Sequence, residues 1–300
     1  MENCDDGGAT GVFEARYLAF LETIPHLRPA LHRYCARMTG SVLDGEDVVQ
    51  DALFQAYRKL ETYDDTRPLK PWLFRIAHNA CIDFLRRRGV REEAEVAAGA
   101  PGVVPPVEPP GPALGRAVEQ LVLHLPPMER ACVLLKDVFD DTLEDIATQV
   151  GSTVGGVKAA LNRGRAKLAA GPARVAAPTA RRARDPHVLR LYVERFNARD
   201  WVGLRALIAD DARLRVADRY AGPIDGSPYF GNYARLRLVW RLALGEVDGD
   251  PAIVVLQERG GEWVPHTCVD LEIVDGRVTR IADYGHTPWL LDAAGSVVVL

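Results

Sequence analysis

Residues 125–168 read LPPMERACVLLKDVFDDTLEDIATQVGSTVGGVKAALNRGRAKL, and this stretch decides the architecture of the first half of the chain. The apolar segment at 130–138 predicts a first helix. A second helix, 143–150, ends at Gly151, and a third begins after the capping residue Thr153. Two helices joined by a tight glycine turn are typical of a helix-turn-helix unit.

The third helix carries a polar face suited to the major groove of DNA. Lys158, Asn162 and Arg165 are spaced by four and three residues, so they share one face of the helix. The opposite face is apolar: it consists of Val154, Val157 and Leu161, which we expect to face the core. The pattern therefore predicts a DNA-recognition helix. A small helical bundle with a solvated basic face is the alternative that this pattern alone leaves open.

Length and composition favour two or three globular domains without a membrane segment. The chain has 300 residues, 48% of them hydrophobic. No apolar run reaches the roughly 20 residues of a membrane span, and the acidic N-terminus lacks a signal-peptide core. We therefore expect a cytoplasmic protein. The net charge of −4 predicts weak DNA affinity for the isolated protein, because phosphate neutralisation needs a basic surface.

The five cysteines are scattered, and none of them forms a CxxC pair: Cys4, Cys35, Cys81, Cys132 and Cys268. Such a set predicts free, mostly buried thiols in a reducing compartment. We expect no metal site and no cofactor.

Two segments of small residues, prolines and glycines divide the chain into three blocks. The segment 91–115 and the segment 171–185 are predicted linkers. The blocks between and beside them cover 12–90, 116–170 and 186–300. The second linker carries Arg181, Arg182 and Arg184, for which solvation is the default expectation.

The first block is predicted to be all-helical. One helix opens at Asp44 and runs to about Leu60, with an apolar stripe at spacings of three and four residues. A second begins at Pro71-Trp72 and ends at the three arginines 86–88 before Gly89.

The last block predicts an α+β domain. A helix at 186–199 and a shorter one at 204–209 precede four alternating stretches typical of strands: 212–218, 252–258, 262–274 and 277–284. Asp275-Gly276 is typical of a tight hairpin turn. Helices followed by an antiparallel meander indicate a curved sheet packed against helices.

The first two blocks resemble the two conserved domains of an extracytoplasmic-function sigma factor, a group within the sigma-70 family. The matching stretches are DGEDVVQDALFQAYRKL at 44–60, PWLFRIAHNACIDFLRRR at 71–88 and the helix-turn-helix stretch at 125–168. The resemblance implies two all-α domains, region 2 at 12–90 and region 4 at 116–170. It also implies core RNA polymerase and promoter DNA as partners.

The resemblance assigns polymerase binding to the start of the first matching helix. The residues are Asp44, Glu46, Asp47, Val48, Val49, Gln50, Asp51 and Phe54. Physically, they would form an acidic and aromatic rim around an apolar contact. A solvated acidic face that the helix dipole favours explains the same residues without a partner.

The resemblance assigns reading of the −10 promoter element to the helix at 72–88 and the loop before it. The contact candidates are Arg75, Asn79, Asp83, Arg86, Arg87 and Arg88. An amide can bond a base edge, and guanidinium groups can hold phosphates. Trp72 is expected to pack in the core rather than stack on a base.

The helix-turn-helix is assigned by the resemblance to the −35 element. The candidates are Thr153, Lys158, Asn162, Arg163 and Arg165, of which one or two would read bases. The chain departs from the family pattern at Ala160, where an arginine is usual, and at Gly156. We therefore expect weakened −35 binding.

The last block resembles the SnoaL-like branch of the nuclear-transport-factor-like fold, a cone formed by a curved sheet over helices. The resemblance implies that this extension regulates the sigma domains in cis. Relatives of this fold enclose pockets, and the candidates for a pocket here are His266, Asp283 and His286. Asp218, Asp270 and Tyr284 are further acid–base candidates, yet no complete catalytic constellation is visible, so we expect no enzyme.

Two alternatives from other functional classes remain at this point. The first is a free-standing helix-turn-helix regulator that binds duplex DNA without polymerase. The second is a ligand-binding or enzymatic cone tethered to DNA-binding domains, with a small ligand as an additional partner.

Overall fold

The computed structural model describes residues 7–64, 66–97, 122–170, 185–217, 219–235, 239–248 and 250–300. The described chain divides into two compact units. An all-α unit contains residues 7–97 and 122–170, and an α+β unit contains 185–300. Residues 98–115 of the predicted linker 91–115, residues 171–184 of the predicted linker 171–185, and the candidate Asp218 lie outside the described residues.

Three helices form the first part of the all-α unit: α1 (Gly7–Thr39), α2 (Val42–Arg58) and α3 (Leu69–Ala97), with a short 3-10 turn at Leu60–Thr62. Ser41 begins α2 by accepting a hydrogen bond from the backbone N–H of Asp44 at 3.3 Å. The predicted end of α3 at Gly89 is wrong. The helix continues through 91–97, because the segment REEAEVA is rich in good helix formers and outweighs a single glycine.

Three further helices form the predicted helix-turn-helix. They are α4 (Pro127–Val133), which continues as a π-turn over Leu134–Val138, then α5 (Leu143–Val150) and α6 (Val154–Ala170). Thr142 caps the start of α5, and Gly151 ends it in the left-handed conformation with φ 66°. Glycine adopts this conformation without steric cost, so the sequence signal for the turn is confirmed.

One hydrophobic core runs through the whole all-α unit. It contains residues of α1, α2 and α3 together with residues of α4, α5 and α6. The helices α3 and α5 pack directly against each other. The two helical blocks that the sequence separates therefore share one interior in this structure.

The α+β unit begins with two helices, α7 (Pro186–Asn197) and α8 (Trp201–Ala206), and contains a third, α9 (Tyr229–Arg235). Asp185 and Asp200 cap the first two helices with their carboxylates. Phe196 lies at the centre of an aromatic cluster, with ring centroids 5.0–6.2 Å from its neighbours Tyr192, Trp201, Phe230, Tyr233 and Trp240.

The sheet of the α+β unit has seven strands in the order β2-β1-β6-β5-β4-β3-β7. They are β1 (Ile208–Val216), β2 (Tyr220–Pro223), β3 (Trp240–Val247), β4 (Asp250–Arg259), β5 (Glu262–Val274), β6 (Arg277–Asp283) and β7 (Val297–Val299). The neighbouring strands from β3 to β6 pair antiparallel, and β4, β5 and β6 match three of the four strands of the predicted meander, whereas β3 was not predicted. The pair β1–β6 is parallel, which makes the sheet mixed.

The hairpin between β5 and β6 confirms the predicted turn. Asp275 and Gly276 have φ values of 50° and 72°, as the Asp-Gly signal indicates. A 3-10 helix at Pro288–Ala293 follows β6 and packs on β5.

The composition predicted free, mostly buried cysteines and no membrane-spanning segment. Cys35, Cys81, Cys132 and Cys268 are buried free thiols, as predicted. Among the helices of the described ranges, none is long and apolar enough to span a membrane.

Candidate functional site

The exposed side of α2 carries part of the predicted polymerase-binding set. Phe54 is 63% exposed, and Asp51 is exposed beside it. Asp47 and Gln50 are half-buried on the same helix. The helix therefore exposes an acidic and aromatic surface.

Three other members of the set lie in the interior. Val48 and Val49 belong to the core, and Glu46 is fully buried, where it forms an ion pair with Arg28. The expectation that Glu46 belongs to an exposed acidic rim is wrong, because its carboxylate holds α2 to α1. Asp44 is half-buried at the helix start, 3.9 Å from Arg88.

Further exposed apolar side chains on α1 and α2 were not predicted from the sequence. Leu18 and Leu21 of α1 are 54% and 46% exposed, and Tyr57 of α2 is 45% exposed. The rings of Tyr17 and Tyr57 are in edge contact at 5.6 Å, which joins the two helices. Large exposed apolar side chains that form a patch are typical of a protein-binding surface. The spacing of Phe54 and Tyr57 by three residues was the available signal.

The predicted −10 residues are spread along the outer side of α3. Arg75, Asn79, Asp83, Arg86 and Arg87 are exposed. Within this group, Arg86 pairs with Asp83 at 3.1 Å. This row of three arginines, an asparagine and an aspartate faces solvent.

Two neighbours of this row, Arg88 and Trp72, contact other residues of the protein. Arg88 is half-buried and donates a hydrogen bond to the carbonyl of Thr39 at 3.1 Å. Trp72 packs on the core, and its ring lies 4.7 Å from that of Tyr63, as expected for a packing residue.

The recognition helix α6 has the two faces that its spacing predicts. Val157 and Leu161 are buried, and Val154 packs on the same core. Lys158 and Asn162 are exposed on the other side, and their side chains form no hydrogen bond or ion pair with another described residue. Thr153 is exposed and accepts a hydrogen bond from the N–H of Gly156 at 3.1 Å, so it caps the helix.

The remaining basic residues of α6 are held by carboxylates of α4 and its π-turn. Arg163 and Lys167 both bind Glu129, at 2.9 and 2.8 Å. The hydrogen bond from Lys167, followed by that from Arg163, lowers the pKa of Glu129. Arg165 binds Asp137 through two nitrogens, and this carboxylate raises the pKa of Arg165.

Ala160 does not stand at a DNA-contact position. It is 1% exposed and belongs to the core between α6 and its neighbours. The expectation that −35 binding loses a basic contact at this residue is therefore wrong, because a side chain here points inward. Gly156 is exposed, as its place on the outer turn indicates.

Among the described residues, the three pocket candidates of the α+β unit are not joined to one another by hydrogen bonds. Asp283 is buried and accepts hydrogen bonds from Tyr229 at 2.8 Å, Tyr233 at 2.5 Å and the N–H of Gly285 at 2.7 Å. Burial, followed by the charge of Asp283, raises the pKa of both tyrosines well above the usual value. The cluster fastens α9 to β6.

The two histidines do not take part in this hydrogen-bonded cluster. His286 is exposed, and His266 is half-exposed where the register of β5 against β4 shifts. Partial burial, then the charge of Arg259, lowers the pKa of His266. Among the described residues, neither histidine bonds to Asp283. Of the other candidates, Asp270 is paired with Arg280 at 3.5 Å and Tyr284 is buried.

Comparisons with known proteins identify the family of the chain. Residues 24–91 match the model of sigma-70 region 2, and residues 115–168 match the model of sigma-70 region 4. The ECF RNA polymerase sigma factor SigW of Bacillus subtilis is 31% identical over 162 residues, which cover 50% of this chain and 87% of SigW. The chain belongs to the ECF sigma factors.

A second relative aligns beyond the sigma regions. The ECF sigma factor SigG of Mycobacterium tuberculosis is 26% identical over 302 residues, covering 87% of this chain and 80% of SigG. Such coverage must reach into the α+β unit. One crystal structure, assigned to a ketosteroid isomerase from Kribbella flavida, covers 33% of this chain at 29% identity with a TM-score of 0.26.

Membership of the family gives the activity of the chain. It is a sigma factor, whose domains bind core RNA polymerase and direct initiation at specific promoters. A free-standing regulator is not favoured, because both sigma regions are present in order. The relatives it matches are transcription factors rather than enzymes.

Proposed function

We propose that the surface formed by α1 and α2 is the polymerase-binding face of this sigma factor. Its apolar centre is Phe54 with Tyr57, Leu18 and Leu21, and its acidic side is Asp47 and Asp51. An apolar centre gives affinity once it is desolvated, and the carboxylates steer a basic partner toward it. Glu46, Val48 and Val49 support this face from inside.

We propose that promoter contacts are divided between α3 and α6. Asn79 reads the opened −10 strand, while Arg75, Arg86 and Arg87 hold phosphates. Lys158 and Asn162 are the first contacts at the −35 element. They are exposed, and Arg163 and Arg165 have to exchange their carboxylates for phosphate before they bind DNA.

The α+β unit acts, in this proposal, as a regulatory domain rather than an enzyme. The buried carboxylate of Asp283 accepts hydrogen bonds from Tyr229, Tyr233 and the N–H of Gly285 within the fold. A general base has to be within reach of a substrate proton, and this carboxylate is not. Because the proposed partners are cytoplasmic, we place the protein in the cytoplasm.

The observation that carries the assignment of surfaces is the exposure of Phe54 on α2 and of Lys158 and Asn162 on α6. The experiment is run-off transcription with purified bacterial core polymerase, the full chain and a pool of genomic promoters. Promoter-specific transcripts that need both components are expected.

Three variants separate the proposed roles in that assay. Phe54→Ala should weaken polymerase binding and leave the promoter sequence preference unchanged. Asn79→Ala should impair promoter opening more than polymerase binding. Asn162→Ala should weaken the −35 footprint, by roughly 1–3 kcal/mol if it reads a base. Normal open complexes with Asn79→Ala would refute the −10 assignment, and an intact footprint with Asn162→Ala would refute the −35 assignment.

A further inference from the structure

A small pocket opens on the surface of the α+β unit, where α8 and the start of β1 meet the segment between β2 and α9. Its volume is about 320 Å³. This value lies at the small end of the roughly 300–1,000 Å³ that is typical of small-molecule sites. None of the three pocket candidates predicted from the sequence lines it. The pocket is therefore a separate site, of a size that suits a small ligand.

The floor of the pocket is apolar. It is lined by Ile208, Ile224 and Phe230, which belong to the core of the α+β unit. Because core packing holds these side chains in place, the floor is formed before any ligand arrives. Covering an apolar floor with an apolar group is favourable, since water leaves both surfaces. The floor therefore favours a ligand that carries an apolar side chain.

Arg205 of α8 supplies a positive charge to the pocket lining. The side chain is exposed, and its guanidinium carbon lies 5.8 Å from the ring centroid of Phe230 in the floor. It forms no hydrogen bond or ion pair with another described residue. A guanidinium group matches the geometry of a carboxylate and can bind it through two parallel hydrogen bonds. Arg205 is therefore available to a carboxylate of a ligand that lies on the floor.

Two carboxylates also line the pocket, Asp210 and Asp225, and they differ in their partners. Asp210 lies 3.5 Å from Arg277, which compensates its charge. Asp225 is exposed, and its carboxylate forms no hydrogen bond or ion pair with another described residue. It lies in a tight turn that is closed by a hydrogen bond from the N–H of Ser227 to the carbonyl of Ile224 at 3.1 Å. Asp225 is therefore a fixed negative charge that is available to a cationic group.

The combination of charges and floor selects one class of ligand. A simple anion leaves Asp225 without a partner, a phosphate is repelled by two carboxylates, and a simple amine meets the charge of Arg205. A zwitterion with an apolar side chain complements all three features. We propose that this pocket binds a free apolar amino acid, whose carboxylate pairs with Arg205 and whose ammonium pairs with Asp225. Binding of this ligand goes beyond the proposed regulatory role of the α+β unit and does not depend on it.

The test measures dissociation constants for the full chain by saturation-transfer difference NMR, with L-leucine and L-phenylalanine as probes. Two analogues of leucine each lack one charge: 3-methylbutylamine has no carboxylate, and 4-methylpentanoate has no ammonium. L-leucine should bind at least about ten-fold more tightly than either analogue, because each analogue leaves one charge of the pocket unpaired. L-alanine keeps both charges but covers less of the floor, so it should bind more weakly than L-leucine.

Two variants remove one charge of the pocket each, and two are matched controls. Arg205→Gln should weaken L-leucine on the order of ten-fold and should not weaken 3-methylbutylamine. Asp225→Asn should weaken L-leucine to a similar degree and should not weaken 4-methylpentanoate. Arg190→Gln and Asp211→Asn remove the same charges at exposed positions outside the pocket lining, and both should keep the affinity for L-leucine. All four side chains are exposed, so each variant should keep the circular dichroism spectrum of the parent chain.

Three results would overturn the proposal. They are no saturable binding of either probe at about 10 mM, equal affinity for L-leucine and one of its single-charge analogues, and equal effects of a pocket variant and its control. None of these measurements needs polymerase, so their failure is distinct from failure of the proposed function. A chain that binds no amino acid, yet transcribes differently once the α+β unit is removed, would lose the ligand and keep the regulatory role.

Discussion

At the scale of single residues, the buried ion pair between Arg28 and Glu46 links two helices of the all-α unit. Both side chains are buried, 4% and 0% exposed, and they join α1 to α2 directly beneath the proposed polymerase face. Burying two charges is costly, and the cost is recovered only while the pair is intact. The pair therefore makes the position of α2 dependent on α1.

We expect Arg28→Ala to destabilise the all-α unit by about 3–5 kcal/mol, because the buried carboxylate of Glu46 loses its ion pair with Arg28. Urea unfolding followed by far-UV circular dichroism measures this, since most helices of the described chain lie in that unit. Arg67→Ala removes an exposed pair with Asp64 and is the control, which should keep its midpoint. Equal effects of both variants would contradict the role of burial.

Two buried histidines give the same unit a pH dependence. His32 bonds the carbonyl of Val42 at 2.9 Å, and His78 bonds the hydroxyl of Tyr34 at 2.9 Å. Burial lowers the pKa of each imidazole from 6.5 to about 4. Between these values the unfolded chain binds protons that the folded chain does not, so stability falls as the pH drops from 6.5 toward 4.

We expect the free energy of unfolding to decrease by up to about 1.4 kcal/mol per pH unit for each of the two histidines. Urea unfolding at pH 7, 6, 5 and 4.5 measures this slope. His78→Gln should reduce the slope by about half, and His124→Gln, at an exposed position, should not change it. A slope that His78→Gln leaves intact would show that other groups carry the dependence.

At the scale of elements, the packing of α6 on α4 depends on one glycine. A Cβ atom at Gly164 would lie 2.9 Å from Cγ2 of Val133 and 3.5 Å from Glu129. A Cβ at Gly155 of the same helix would meet only Thr153, at 3.9 Å. The close approach at Gly164 also places Glu129 within reach of Arg163 and Lys167.

Gly164→Val should therefore destabilise the helix-turn-helix by about 1–3 kcal/mol through overpacking. Gly155→Val is the matched control, with an expected change within about 0.5 kcal/mol. Urea unfolding by circular dichroism and the −35 footprint are the two readouts. If both glycines tolerate valine equally, the close contact between α4 and α6 is not required.

The elements also show what a sequence can and cannot reveal. Spacing gave the two faces of α6, and the Asp-Gly pair gave the hairpin at 274–277, because both signals are local. The parallel pairing of β1 with β6 was missed, since it depends on strands far apart in the chain. The strand β3 and the helix α9 were also missed, although Trp240, Leu242 and Leu244 alternate along β3 as in a half-buried strand.

The candidate surfaces were predictable to a similar degree. Exposed contacts such as Phe54, Lys158 and Asn162 follow from helix periodicity. The burial of Glu46 depends on Arg28, eighteen residues away on another helix. Arg165 likewise forms its ion pair with Asp137, which lies outside its own helix. Partners of this kind are fixed by tertiary packing, which no local pattern reports.

At the scale of the whole molecule, the two units have separate cores. The core of the all-α unit contains no residue of 185–300, and the core of the α+β unit contains no described residue before that range. A domain with its own hydrophobic core can fold alone. We therefore expect a chain truncated after residue 176 to keep the helical signal and cooperative unfolding of the all-α unit.

The same truncation tests the regulatory role of the α+β unit. If that unit regulates in cis, run-off transcription per mole of folded protein should differ between the full chain and residues 1–176, in either direction. The control is Trp263→Ala, which removes an exposed ring on β5 that Arg241 covers at 4.4 Å and leaves the buried core of the sheet intact. Equal transcription by both chains, with equal polymerase affinity, would mean that the α+β unit does not act on the sigma domains. A truncated chain that does not fold would instead show that the two cores depend on each other.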